Sequence, residues 1–218
     1  MKFETHKVIW ALVALSVVWF GAAMLKPANA AEVSLKHVQQ DYDSDLDADG
    51  IELSIDLAND SYEAGISLLD VEGQGTFENT GTYVDTWTLE DNTATAYIGA
   101  KVENNISAGL QVRRNDHAYA NPYSFGNYAG VVVAGNTDTD VDAYVAWSND
   151  IIRAQLATDG TINFDFNADI NENASFHIGF EQRDFEYDWA HLDSYLDVET
   201  GSDEDEIETI SAGLSLKF

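Results

Sequence analysis

From residue 31 onward the chain alternates apolar and polar side chains with a period of two, and no stretch holds a convincing helical period. Ile51, Leu53, Ile55 and Leu57 alternate with Glu52, Ser54, Asp56 and Ala58. Ala94, Ala96, Ile98, Ala100 and Val102 face away from Thr95, Tyr97, Gly99 and Lys101. The same pattern recurs from Tyr62, Ile106, Val141, Ile152, Ile162, Phe176 and Ile210, and a first strand is expected at Val33–Val38. Asn59-Asp60, Asn104-Asn105, Asn149-Asp150, Asp159-Gly160 and Asn171-Glu172-Asn173 supply tight-turn chemistry between the runs. Asp41–Gly50, Asp70–Gly81, Asn115–Asn127 and Glu186–Glu206 read as longer polar connections. Counting weaker runs at Tyr83–Leu89 and Tyr128–Ala134 gives about twelve strands, or ten or eight if those two are loop excursions. Helical repeats, βαβ units and coiled coils are excluded.

The chain carries 10 Lys and Arg against 39 Asp and Glu, a net charge of −29, and no cysteine. Such acidity offers no footprint for a phosphate backbone, which excludes nucleic acid as a partner. Disulfide scaffolds, thiolate metal sites and cysteine nucleophiles are excluded too. At 45% hydrophobic and 11% aromatic, the chain is too apolar for a disordered acidic tail.

Lys2 and Lys7 precede an apolar run from Val8 to Leu25, and Ala28-Asn29-Ala30 closes it. This is the pattern of a secretory signal peptide over residues 1–30, with cleavage expected after Ala30. The run is also just long enough to be an uncleaved anchor. Cleavage leaves residues 31–218 as one domain with 7 basic and 38 acidic side chains, net −31.

Two architectures bury one face of such strands: a soluble sandwich or barrel with its apolar face inward, and a transmembrane barrel with that face toward lipid. The leader implies export. The polar face bears Glu52, Asp56, Lys101, Arg113, Asp142, Arg153, Asp165, Asp169, Glu181 and Lys217, which suit a crowded barrel lumen or a solvated sandwich surface. The closing run, Ile210-Ser211-Ala212-Gly213-Leu214-Ser215-Leu216-Lys217-Phe218, resembles the terminal strand of Gram-negative outer-membrane β-barrel proteins. That resemblance implies an antiparallel transmembrane β-barrel in the outer membrane. It also implies an assembly signal at Leu214, Leu216 and Phe218, read by the barrel-assembly machinery, with membrane lipid around the outside. Tyr62, Trp87, Trp147, Phe185, Tyr187, Trp189 and Tyr195 fall near strand ends, where an interfacial girdle would place them.

Three further patterns bear on chemistry. Asp45-Leu46-Asp47-Ala48-Asp49-Gly50 resembles the start of an EF-hand calcium loop, with Asp45, Asp47 and Asp49 as ligands. Position twelve falls on Asp56 rather than Glu and the flanks read as strands, so a solvated acidic turn is the alternative. His191 and Ser194 share a loop and are the one local candidate for a lipid hydrolase, without a recognisable motif around them. No other cofactor is expected. Arg113, Arg153, Arg183, Lys101 and Lys217 should pair with lumen carboxylates, because an unpaired buried charge is costly. The leading expectation is a passive small-solute pore with an acidic, cation-favouring lumen and no catalytic residues. The alternatives are a plugged structural or adhesive barrel, and a soluble exported sandwich that binds calcium or polysaccharide.

Overall fold

The computed structural model describes residues 30–42, 46–77, 83–103, 105–125, 128–193 and 198–218. The expected signal peptide lies outside these apart from Ala30, whose backbone opens the first strand. Ten antiparallel strands form the described chain: β1 (Ala30–Tyr42), β2 (Leu46–Ala58), β3 (Tyr62–Phe77), β4 (Tyr83–Glu103), β5 (Ile106–Phe125), β6 (Tyr128–Ser148), β7 (Ile152–Ala157), β8 (Ile162–Asn171), β9 (Ala174–Asp193) and β10 (Val198–Lys217). Each pairs with its sequence neighbours, and β1 pairs with β10 to close the barrel.

At the near end, which holds the chain's closing contact, Ala31 and Phe218 exchange backbone hydrogen bonds of 3.3 and 2.9 Å. The tight turns at Asn59, Asn149 and Asn171 lie there too, whereas the β7–β8 turn points the other way. Asn59 Oδ1 accepts from the Ser61 and Tyr62 amides at 2.8 Å, and Asn149 Oδ1 does the same for Ile151 and Ile152. These side chains replace ladder bonds that a two-strand reversal leaves open.

The count of ten corrects the expected twelve. Tyr83–Leu89 and the Ala94 run are one strand of 21 residues, β4, and Tyr128–Ala134 joins the Val141 run in β6, also 21 residues. Most of the four segments read as polar connections is likewise strand. The physical cause is an inversion of the alternating phase partway along each long strand. On β2 the outward face reads Asp47, Asp49, then Ile51, Leu53; the inward face reads Leu46, Ala48, then Glu52, Ser54. On β10 the outward face changes from Glu206 and Glu208 to Ile210, Ala212 and Leu214, as the inward face changes from Ile207 to Thr209, Ser211 and Ser215. The same switch falls at His37, Leu68, Ala94, Val112, Val141 and Phe180 on the other long strands.

Below this ring the barrel is apolar outside and polar inside. Leu53, Leu110, Val145, Phe164, Ile178 and Leu214 all stand exposed on its outer wall, at 44–57%. Above the ring the outer face is mostly polar, with Val133, Leu192 and Val198 as exposed exceptions, and an apolar cluster occupies the inside. Val38, Tyr42, Leu46, Ala48, Val71, Trp87, Leu89 and Ile207 pack there into one buried cluster, with Leu69, Tyr119 and Phe185 against it. Strands of 20 and 21 residues continue well beyond this outer apolar belt.

The barrel also changes strand number. β7 and β8 form a short hairpin turning at Thr158–Thr161, where Gly160 takes φ +89°, a left-handed conformation glycine adopts without strain. Beyond that hairpin β6 pairs directly with β9, from Gly130↔Asp193 to Gly135↔Asp188. Ten strands therefore surround the belt interior and eight surround the far end. An eight-stranded barrel is just wide enough for side chains to fill it, and the apolar cluster does so.

Candidate functional site

The candidate site is the lumen of the ten-stranded section, a polar cavity of about 470 Å³ that runs from Asn149 and Ile151 at the near end up to Arg183 and Thr209. Ion pairs cross it. Arg153 donates from Nη1 and Nη2 to both oxygens of Glu63 at 2.9 Å, and Glu63 also accepts from Ser107 at 2.8 Å and Tyr144 at 2.9 Å. Four donors on one carboxylate fix it, and the guanidinium fork matches its geometry. Higher up, Arg183 donates to Asp91 at 2.8 Å and to Asn115 Oδ1 at 2.9 Å, and Thr93 donates to Asp91 at 3.1 Å. Lys36 lies between Glu52 at 3.6 Å and Asp165 at 3.7 Å. Tyr97 donates to Asp56 at 2.6 Å. Gly65 makes this crossing possible, since a Cβ there would sit 2.4 Å from Asp56 Oδ1 and 2.5 Å from the Tyr97 ring.

Arg113 bridges three elements. It donates to Thr161 at 3.1 Å, Asp159 at 3.5 Å and Glu181 at 3.5 Å, so one side chain of β5 holds the β7–β8 turn and β9. Asp142 accepts from Thr158 at 3.0 Å. Near the turns His177 Nε2 lies 2.8 Å from Glu32 and 2.7 Å from Ser215, and Lys217 pairs with Asp169.

The ten charged residues singled out from the sequence are thus placed as follows. Glu52, Asp56, Arg113, Asp142, Arg153, Asp165 and Glu181 face the interior; Asp169 and Lys217 pair at the near rim; Lys101 lines the near mouth and is exposed. Leu214, Leu216 and Phe218 stand exposed on the outer wall of β10. Lys36, Glu63, Asp91 and the Glu32–His177–Ser215 group are lumen residues the sequence reading did not single out. Parity would have found Glu63, which follows Tyr62 on the opposite face. Asp91 lies where the phase inverts, and nothing local marks it.

Other expectations change in the folded chain. Of the aromatic girdle, Tyr62 and Trp147 stand exposed near the turns. Trp87 is instead buried in the far-end cluster, and Phe185 packs there against Tyr42 and His117, at ring centroids of 6.1 and 4.7 Å. Tyr195 lies outside the described residues. Leu46–Gly50 is extended strand, not a wrapped loop. Asp47 and Asp49 point outward along it, and Asp45 lies outside the described residues. Among the described residues no group of three His, Asp or Glu is placed to hold a metal ion. His191 Nδ1 lies 3.9 Å from Glu199, and Ser194 lies outside the described residues.

Burial pushes the His117 imidazole below its usual range. Burial, together with Asp138 and Asp142 nearby, pushes the Asp140 carboxyl upward.

No protein-family model and no curated protein sequence matches the chain. Among solved structures it is similar to the attachment invasion locus protein Ail of Yersinia pestis, at 11% identity over 87% of this chain and 97% of that one, TM-score 0.39. It is similar to Neisserial surface protein A at 9% identity, over 87% and 96%, TM-score 0.35. Acinetobacter baumannii CarO is similar at 10% identity, over 85% and 97%, TM-score 0.40. At such identities and scores, the belt and lumen of this chain have to carry any functional reading themselves.

Proposed function

We propose that the protein is an outer-membrane β-barrel, closed along its axis at rest, that carries a rigid acidic projection on the outer side of the membrane. The observation behind this is the phase inversion. A belt of exposed Leu, Ile, Val and Phe over a polar, ion-paired interior is the arrangement lipid requires, because every backbone group must find its partner within the ring. The tight turns belong at the periplasmic side and the long extensions outside. Membrane lipid then surrounds the belt, and the exposed Leu214, Leu216 and Phe218 serve as the handle for barrel assembly.

An open cation pore fits the lumen less well. Its lining carries six carboxylates against five Lys and Arg side chains, and much of the remaining acidity belongs to the projection. Arg153–Glu63 and Arg183–Asp91 bridge the interior, and the apolar cluster fills the bore beyond them. A structural or surface-interaction role follows, with the acidic projection as its working face.

The test has two parts. The protein should fractionate with the outer membrane, migrate faster on a gel unheated than boiled, and show no steady conductance in planar bilayers in KCl. A freely soluble periplasmic protein overturns the membrane placement, and a steadily conducting barrel overturns the axial closure.

A further inference from the structure

Between Gly135↔Asp188 and Tyr144↔Ala157 the ladder on one side of β6 stops. On the facing side of β9 it stops between Asp188 and Gln182, the last partner of β8. The two strands splay apart there to admit the β7–β8 hairpin, and the hairpin is too short to fill the space. The wall therefore has a wedge, bounded by residues 136–142 of β6, residues 183–187 of β9 and the turn Thr158–Thr161. It begins at the outer rim of the belt, since the phase inverts at Val141 on β6 and after Phe180 on β9.

We infer that this wedge is a lateral gate into the lumen, with the β7–β8 turn as its moving part and Arg113 as its latch, and that it admits small cations. The inference rests on the membrane placement proposed above. Three observations support it. First, the cavity reaches the wedge, because Arg183 lines the cavity and bounds the wedge, and Arg113 of the cavity lining reaches Asp159 and Thr161 on the turn. Second, the edges are acidic: Asp138 and Asp140 lie on β6, Asp184 on β9 and Asp159 on the turn. Asp142 at the foot of the wedge is 8% exposed, and its Oδ2 has no hydrogen-bond partner. A buried carboxylate oxygen with a free lone pair disfavours anions and leaves a place for a passing cation. Third, the route along the axis is shut by the buried Arg183–Asp91 pair and the apolar cluster beyond it, whereas the lateral route is shut by longer contacts that exchange readily. Arg113 reaches Asp159 and Glu181 at 3.5 Å, at the loose limit of a hydrogen bond. Asn136 spans the apex by donating to the Glu186 carbonyl at 3.0 Å.

The experiment is planar-bilayer recording in KCl on refolded full-length protein, with heat-modifiable migration as the check that each variant has folded. Arg113→Ala, and separately Asp159→Asn, which loosens the turn but leaves Arg113 paired with Glu181, should each give steady current. K⁺ should be favoured over Cl⁻ about fivefold, from a few screened carboxylates at the mouth. Leu89→Ala, which thins the axial cluster, should stay silent. The chain has no cysteine, so Asp140→Cys added to Arg113→Ala offers one thiol, and a bulky thiol reagent should abolish the current. Silence of both folded release variants overturns the gate. Current through Leu89→Ala, or current that survives modification at Asp140→Cys, overturns the lateral route. Current through the unsubstituted protein defeats the closed resting state, and the same thiol modification then decides separately whether the path is lateral.

Discussion

His117 shows what one residue contributes when its surroundings change sign along the barrel. It lies on the inward face of β5, where Gln111 and Arg113 below it meet a polar lumen, yet it stacks between Tyr42 and Phe185 in the apolar cluster. Its Nδ1 is buried without a hydrogen-bond partner. Burial favours the neutral ring, so the folded protein gives up the imidazole proton more readily than the unfolded chain does at about 6.5. The unfolded state then binds more protons in the interval between the two values. The stabilising effect of a neutral His117 is complete above pH about 6.5 and is lost as pH falls through the lowered folded value. The denaturation midpoint should therefore drop between pH about 7.5 and 5, and His117→Phe should flatten that drop. An unchanged slope in the variant would show that other groups cause it. The residue scale is also where sequence reading fell short. The interior charges on the belt strands were legible by parity, but their partners were not. Arg153 meets Glu63 across 90 positions and Arg183 meets Asp91 across 92, and such meetings depend on barrel tilt and strand number rather than on any local pattern.

At the scale of one strand, β2 holds both environments on a single face. Leu53 and Asp47 both point outward, six residues apart, on either side of the inversion at Gly50–Ile51. The proposed placement puts Leu53 in lipid and Asp47 in water. Leu53→Lys should destabilise by about 2–4 kcal/mol, as a lysine within the bilayer does, while Asp47→Lys should stay within about 0.5 kcal/mol. Denaturant titration in lipid vesicles measures both, and equal costs would remove the belt boundary from this strand. The same inversion explains why the far parts of the long strands read as polar connections or, at Tyr83–Leu89 and Tyr128–Ala134, as separate weaker strands. Within the belt the outward residues are uniformly apolar, so alternation is unmistakable. Past it the outward residues are largely Asp, Glu and Thr, and the inward ones include Gly73, Gly75 and Asp91, so the apolar signal thins to single residues such as Leu89 and Ile207. Turn chemistry was readable at Asn59, Asn149 and Asn171 because an Asx side chain completes its turn locally.

For the molecule as a whole, the net charge of −29 is unevenly spent. The belt lumen is close to balanced, and the outward faces of the far-end strands carry Asp47, Asp49, Asp70, Glu72, Glu90, Asp184, Glu186, Asp188, Glu204 and Glu208. Like charges on a narrow cylinder repel, and salt screens them over a Debye length of about 10 Å at 0.1 M. The denaturation midpoint should thus rise as NaCl goes from about 0.01 to 0.3 M, where screening tightens from about 30 Å to under 10 Å. A flat response would mean the projection adds no net repulsion. The barrel class and its exterior belt were legible from alternation and the closing strand. The change from ten strands to eight was not, because a short hairpin and two long strands show the same period.

The pairing of β6 with β9 has a consequence for how such a chain could have been assembled. Each pair of partners in that ladder sums to the same register, as in Gly130↔Asp193 and Gly135↔Asp188. Carried downward without a shift, the register would set Tyr144 opposite Gly179 and Val145 opposite Ile178, inward residue facing inward and outward facing outward. The β7–β8 hairpin therefore interrupts a ladder that is already in phase on both sides of it. In modular terms the molecule is an eight-stranded barrel with one removable cassette, and the widening of the bore, the polar cavity and the breach in the wall all come with that cassette.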